Sequence, residues 1–280
     1  MNALLDDAQL VYLYDGTLEG MLTAVFEAFR RKEEPLNVVQ ENDLQQSLLC
    51  SYIPIHTDGV LAERVRDGVV RMLGERSYDA IKRVFLSEDE SRGGVLIRYL
   101  LYTMRKGRKS CVHLAHPAVN AFELLLNQVN KEAHYMLQFV RFAQLDNGVY
   151  FSRIEPKASV VPLIMGHFAA RFNIQPFIIH DARHHLTGVF DTQRWWLVDA
   201  RDIQLPQQAT VEDEYQALWQ TFYDTIAIEE RRNPTCQRNF MPKRFWGNLC
   251  EQIPPQLRQV RPKTKTPTTV AKLSTHRLPA

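Results

Sequence analysis

The spacing of apolar residues changes once along this chain, near residue 143, and that change limits the fold more than any other feature. Before it, apolar side chains recur at helical intervals. Leu18, Met21, Leu22, Val25, Phe26 and Phe29 make one stripe, and Leu61, Val65, Val69 and Met72 make another, each wide enough to face a core. Thr17 suits an N-cap of the first helix, Arg30, Arg31 and Lys32 complement the dipole at its end, and Pro35 stops it. Shorter helices are expected over 77–85 and 94–104 and a long one over 117–142, while only 10–14 is expected to form a strand. After the change, Asn147-Gly148 separates two β-prone runs within 144–154, the pattern of a hairpin. Residues 176–181, 186–190 and 195–198 suit three further strands, with helices over 163–172 and 211–232, the latter carrying Tyr215, Trp219, Phe222 and Ile226 as an expected buried stripe. Helices and mostly antiparallel strands without βαβ alternation imply an α+β fold, helices packed on a small sheet after a helix-rich first half. One domain is expected over 1–254, helical over about 15–142 and sheet-containing over about 143–254. The Pro-, Lys- and Thr-rich stretch 255–280 is expected to be a disordered basic tail.

Charge adds a second asymmetry. The whole chain carries only +2, yet from Arg231 onward there are 11 Lys/Arg against Glu251 alone. An acidic body with a basic arm suits contact with a polyanion, or neutralisation of the body by its own arm. No run is long and apolar enough to span a membrane, and the first residues are acidic rather than the basic start of a secretion signal. A cytoplasmic protein with reduced thiols is the expectation. Cys50, Cys111, Cys236 and Cys250 are scattered, with no C-x-x-C spacing to suggest zinc or an iron–sulfur cluster.

Three constellations could carry chemistry. His134, Gln138 and Arg141 share one helix face, a donor-rich ridge able to hold a phosphate or a base edge, or simply to bond a neighbouring element. Glu155 precedes Pro156, while His167 and Arg171 share a face of the next helix. Glu155 with His167 could form a general acid–base pair, joined by His134 or by Asp181 at a strand end, or could form a structural ion pair. The richest stretch is 231–246. There Arg232, Arg238, Lys243 and Arg244 suit phosphates, Gln237 and Asn239 suit sugar or base, and Phe240, Phe245 and Trp246 suit stacking or packing. The aromatic residues are expected mainly in the core and the cations at the surface.

Several of these stretches together resemble one bacterial family. They are Tyr14-Asp-Gly-Thr-Leu-Glu-Gly20, Lys131-Glu-Ala-His134 with Phe139-Val-Arg-Phe142, Ile154-Glu-Pro-Lys157 with Pro162-Leu, His167-Phe-Ala-Ala-Arg-Phe172, and Arg232-Asn-Pro with Met241-Pro-Lys-Arg-Phe-Trp246. The family is labelled as DNA-repair or DNA-metabolism proteins, and its members are typically paired with a radical-SAM protein of DNA modification or repair. The resemblance runs to about Glu251 and implies DNA as a partner, without an established reaction. It also implies that an iron–sulfur cluster and SAM belong to the partner protein, this chain itself carrying no cofactor. The alternative is a nucleic-acid-processing enzyme, glycosylase- or hydrolase-like, using the Glu/His pair.

Overall fold

The first strand, β1 (Gln9–Tyr14), lies at the centre of a sheet that the apolar pattern does not reveal. In the computed structural model, which describes residues 9–41, 49–200, 210–231 and 233–252, β1 pairs in parallel with both β2 (Asn37–Gln40) and β3 (Cys50–Pro54). Both partners are short edge strands. Val38 is the one buried residue of β2 and β3 has none, so neither shows the alternation that marks a strand. Helix α1 (Leu18–Arg31) connects β1 to β2, making a βαβ unit that the sequence reading did not anticipate. Its start follows from the Asp15-Gly16-Thr17 turn. The Thr17 hydroxyl accepts from Gly20 N at 2.9 Å, and Asp15 Oδ1 accepts from Thr17 N at 2.9 Å and from its hydroxyl at 2.6 Å.

Helices α2 (Gly59–Leu73), α3 (Glu75–Phe85) and α4 (Arg92–Lys106) follow, then a 3₁₀ turn (Arg108–Val112) and α5 (Pro117–Phe139). Tyr12, Val25, Val69, Ile81, Leu96 and Leu100 are fully buried in this part, and Tyr99 stacks on Phe122 with ring centroids 3.7 Å apart. Gly93 brings α4 against the backbone of β2, where an added Cβ would lie 1.9 Å from the Val38 carbonyl oxygen.

The chain divides into two compact units, Met1–Glu132 and Ala133–Ala280, where a single domain was expected. The division falls inside α5, a continuous helix, so no linker composition marks it. The second unit holds a mixed, mostly antiparallel sheet in the order β4-β5-β6-β7-β8. β4 (Ala143–Gln144) and β5 (Tyr150–Ile154) form the expected hairpin, with Gly148 at φ 80° and Val149 N donating to Asn147 Oδ1. α6 (Val161–Arg171) crosses from β5 to its parallel neighbour β6 (Phe177–Asp181), and β7 (Leu186–Phe190) and β8 (Trp195–Asp199) complete an antiparallel meander. α6 lies directly on Gly188 of β7, where a Cβ would come within 2.3 Å of Met165 Sδ. Phe142 meets Phe168, Phe172 and Phe177 edge-on at 5.1–5.5 Å, fastening the same layer. The architecture is α+β.

α7 (Thr210–Ile226) overturns one expectation. Tyr215, Trp219, Phe222 and Ile226 are exposed rather than buried. The helix docks instead through polar groups. Glu212 accepts from Gln144 N and from Gln216, Gln220 donates to Cys250 O, and Tyr223 accepts from Gln252. Hydrogen bonds to strand and turn backbone thus decide which face turns inward. A 3₁₀ turn (Glu229–Arg231), α8 (Pro234–Phe240) and two further 3₁₀ turns (Lys243–Asn248 and Cys250–Gln252) end the described chain. The expected tail 255–280 and Arg232 lie outside the described residues. No helix among the described residues is long and apolar enough to cross a membrane.

Candidate nucleic-acid interface

The basic segment is built around a few anchors. Asn233 caps α8 by accepting from Cys236 N at 3.0 Å, and Pro234 begins the helix where its missing N–H costs nothing. In the next turn Phe245 is buried against Tyr135 and Phe139 of α5, with ring centroids 5.5 and 5.3 Å away. The half-buried Trp246 donates its indole N–H to Met241 O at 3.0 Å. These contacts leave Arg238, Lys243 and Arg244 on the surface. Arg244 lies 4.1 Å over the Phe245 ring and Lys243 5.9 Å over Trp246, so rigid aromatic bases support both cations. Arg238 folds back onto Pro234 O and the Thr235 hydroxyl, and Gln237 is half-buried beside Gln252. Phe240 departs from expectation: it is exposed, not packed.

The ridge on α5 is brought together as a bonded chain. Gln138 can only donate through its amide nitrogen, so the 2.8 Å contact makes His134 Nε2 the acceptor and places the proton of the neutral ring on Nδ1. Arg141 donates to Gln138 O at 2.9 Å and to Glu251 Oε1 at 2.8 Å. Glu251 also accepts from Trp219 Nε1 at 3.3 Å. Burial pushes the Glu251 carboxyl upward, but backbone bonding and the bond and charge of Arg141 outweigh it and hold the group below the usual carboxylate range. Its neighbour Cys250 is pushed up to about 11, first by burial and then by the Glu251 charge. Beside the pair opens a groove of about 850 Å³ whose lining includes Arg141, Phe151, Arg153, Tyr215, Trp219 and Asn248. Sequence reasoning missed Glu251 as a site residue, although it is the one acid in the basic stretch.

The proposed acid–base group is not assembled. Glu155 pairs with Arg153 at 2.7 Å, His167 and Arg171 are exposed on α6, and no bond among the described residues joins Glu155 to His167. The ring of His167 meets Phe168 edge-on at 5.3 Å. Asp181 is fully buried and caps the β6–β7 turn, accepting from Arg183 N at 3.0 Å and His184 N at 3.2 Å while pairing with His184 Nδ1 at 2.6 Å. His180 bonds Thr187, and burial lowers its pKa. No group of three potential ligand side chains able to hold a metal occurs among the described residues, and the four cysteines are unbridged.

No curated protein matches the chain. A family model does match residues 90–251, which span more than half of the 280 residues and include α4, the α5 ridge, the whole mixed sheet and the basic segment through Glu251. The chain therefore belongs to the DUF4130 family, described as a domain of unknown function.

Proposed function

We propose that this protein binds DNA in repair or base modification, gripping the phosphate backbone through its basic C-terminal segment. One observation carries the reading. From the start of α8 to Gln252 Phe245 and Trp246 turn inward, the cations Arg238, Lys243 and Arg244 stay at the surface, and Glu251, the only acid of that stretch, is already taken by Arg141. A net positive surface with aromatic support suits sequence-tolerant contact with phosphates. The groove lined by Arg141, Arg153, Tyr215 and Trp219 offers stacking faces beside it. The sequence resemblance to DNA-repair proteins supports the same reading, and with it a radical-SAM partner that would bring its own cluster. The glycosylase- or hydrolase-like alternative has no comparable support, because Glu155 and His167 do not pair.

The test is fluorescence anisotropy with labelled single-stranded and duplex DNA. Affinity should fall steeply between about 50 and 200 mM salt, because each phosphate contact releases counterions. The Lys243→Glu/Arg244→Glu variant should bind at least about tenfold more weakly. Unchanged affinity for both forms of DNA would refute the reading.

A further inference from the structure

We infer that the Met1–Glu132 unit carries a separate binding site for a phosphorylated nucleotide, in a cavity between one face of α4 and the first turn of α5. The cavity measures about 540 Å³, within the range of small-ligand pockets. Arg98, Leu101, Tyr102 and Arg105 line it at positions i, i+3, i+4 and i+7 of α4, and Lys106 follows. From α5 it receives Pro117, Ala118 and Ala121, small side chains where a packed helix pair would place larger ones. The space is therefore built into the sequence of both helices.

Its chemistry is of two kinds. Three cations face it against one acid, Glu34. Arg105 is held by Glu34 at 2.7 Å and lies 5.8 Å over the Phe29 ring, while Arg98 donates to Leu36 O at 2.6 Å. Each bond uses part of a five-donor guanidinium and fixes its position. Lys106 is exposed and makes no ion pair or hydrogen bond among the described residues. Between the two arginines along α4 the lining is aromatic. Tyr102 and His116 stack in parallel, centroids 3.6 Å apart, with the Tyr102 hydroxyl tied to His113 Nδ1 at 2.9 Å. His116 Nδ1 accepts from Ala118 N at 3.3 Å, which leaves the proton of the neutral ring on Nε2 as a donor. Anchored cations beside a fixed π-stack recognise a phosphate and a flat ring in one molecule. This site is independent of the basic C-terminal segment, and the phosphate could belong to a free nucleotide or to the 5′ end of a DNA strand.

Calorimetric titration of the full chain tests it, with inorganic phosphate, adenosine, adenosine 5′-monophosphate and a short oligothymidylate with or without a 5′-phosphate. Either the monophosphate should bind about tenfold more tightly than phosphate or adenosine alone, or the 5′-phosphorylated oligothymidylate about tenfold more tightly than the unphosphorylated one. Tighter binding of the 5′-phosphorylated oligonucleotide than of the unphosphorylated one identifies a DNA end, and tight monophosphate binding without that difference identifies a free nucleotide. Lys106→Glu, at an exposed position, should weaken that binding about fivefold or more with an unchanged circular dichroism melt. Lys243→Glu/Arg244→Glu should leave monophosphate binding as it is, which separates this site from the proposed DNA grip. Equal binding of phosphate and nucleotide, no binding of either nucleotide, or indifference to Lys106→Glu would overturn the inference.

Discussion

The Arg141–Glu251 pair permits a prediction in which the two single substitutions cost different amounts. The Glu251 side chain is 5% exposed and that of Arg141 is 36% exposed. Arg141→Ala strands a buried carboxylate that keeps, among the described residues, the Trp219 indole N–H and the Cys250 thiol as side-chain donors. Removing one partner of a buried pair costs about 3–5 kcal/mol, and some relaxation toward the groove puts this case near about 3 kcal/mol. Glu251→Gln keeps an acceptor for both donors and leaves a guanidinium that water reaches, a cost of about 1 kcal/mol.

All four tryptophans, Trp195, Trp196, Trp219 and Trp246, lie in the Ala133–Ala280 unit, so their fluorescence during urea unfolding reports on that unit. The pH dependence has a fixed sign. Because the Glu251 carboxyl is held below its ordinary value, its stabilising effect is complete above the unfolded carboxyl pKa and is lost as pH falls through the folded one. The gap between the parent and Glu251→Gln should therefore be full near pH 7 and narrow progressively as pH falls below about 4. A cost for Arg141→Ala no larger than that for Glu251→Gln would refute the reasoning, as would a gap that does not narrow as pH falls below the ordinary carboxyl value.

Three further outcomes follow from geometry. Gly188→Ala forces a Cβ against the buried Met165 thioether and should cost about 1–3 kcal/mol in the same urea assay. Gly93→Ala meets backbone at 1.9 Å rather than a flexible side chain, so it should cost more, lowering the far-ultraviolet circular dichroism melting temperature by over about 5 °C. Iodoacetamide near pH 8 should label the exposed Cys236 well before Cys250, whose thiol is pushed up to about 11. Mass spectrometry showing the reverse order would contradict that environment.

Legibility from sequence depended on whether a signal was local. The strands of the mixed sheet announced themselves through Asn147-Gly148 and through runs such as Phe177–Asp181, whose residues alternate between buried and half-buried. β2 and β3 did not, because edge strands of four and five residues with at most one buried side chain leave no period to detect. On α7 the apolar stripe was visible, but the helix docks through Glu212, Gln216 and Gln220 at i, i+4 and i+8. Its orientation depends on acceptors and donors in β4 and the Cys250–Gln252 turn that no local pattern identifies. The inward turn of Phe245 and the outward position of Lys243 and Arg244 followed from composition. The partner of Arg141 did not, since Glu251 lies 110 residues away along the chain. The boundary inside α5 was invisible for a related reason: helical periodicity continues through it.

The polar docking of α7 bears on how the molecule opens. A helix held mainly by hydrogen bonds at Glu212, Gln220 and Tyr223, with Tyr215, Phe222 and Ile226 already in contact with water, gains little apolar burial from staying attached. Its amides should exchange with deuterium through a local opening far less costly than unfolding of β6 and β7, which carry the buried Phe177, Ile179 and Phe190. Ordering α7 against a ligand in the adjoining groove would then register as slowed exchange along the helix, giving binding a readout that needs no label on the ligand.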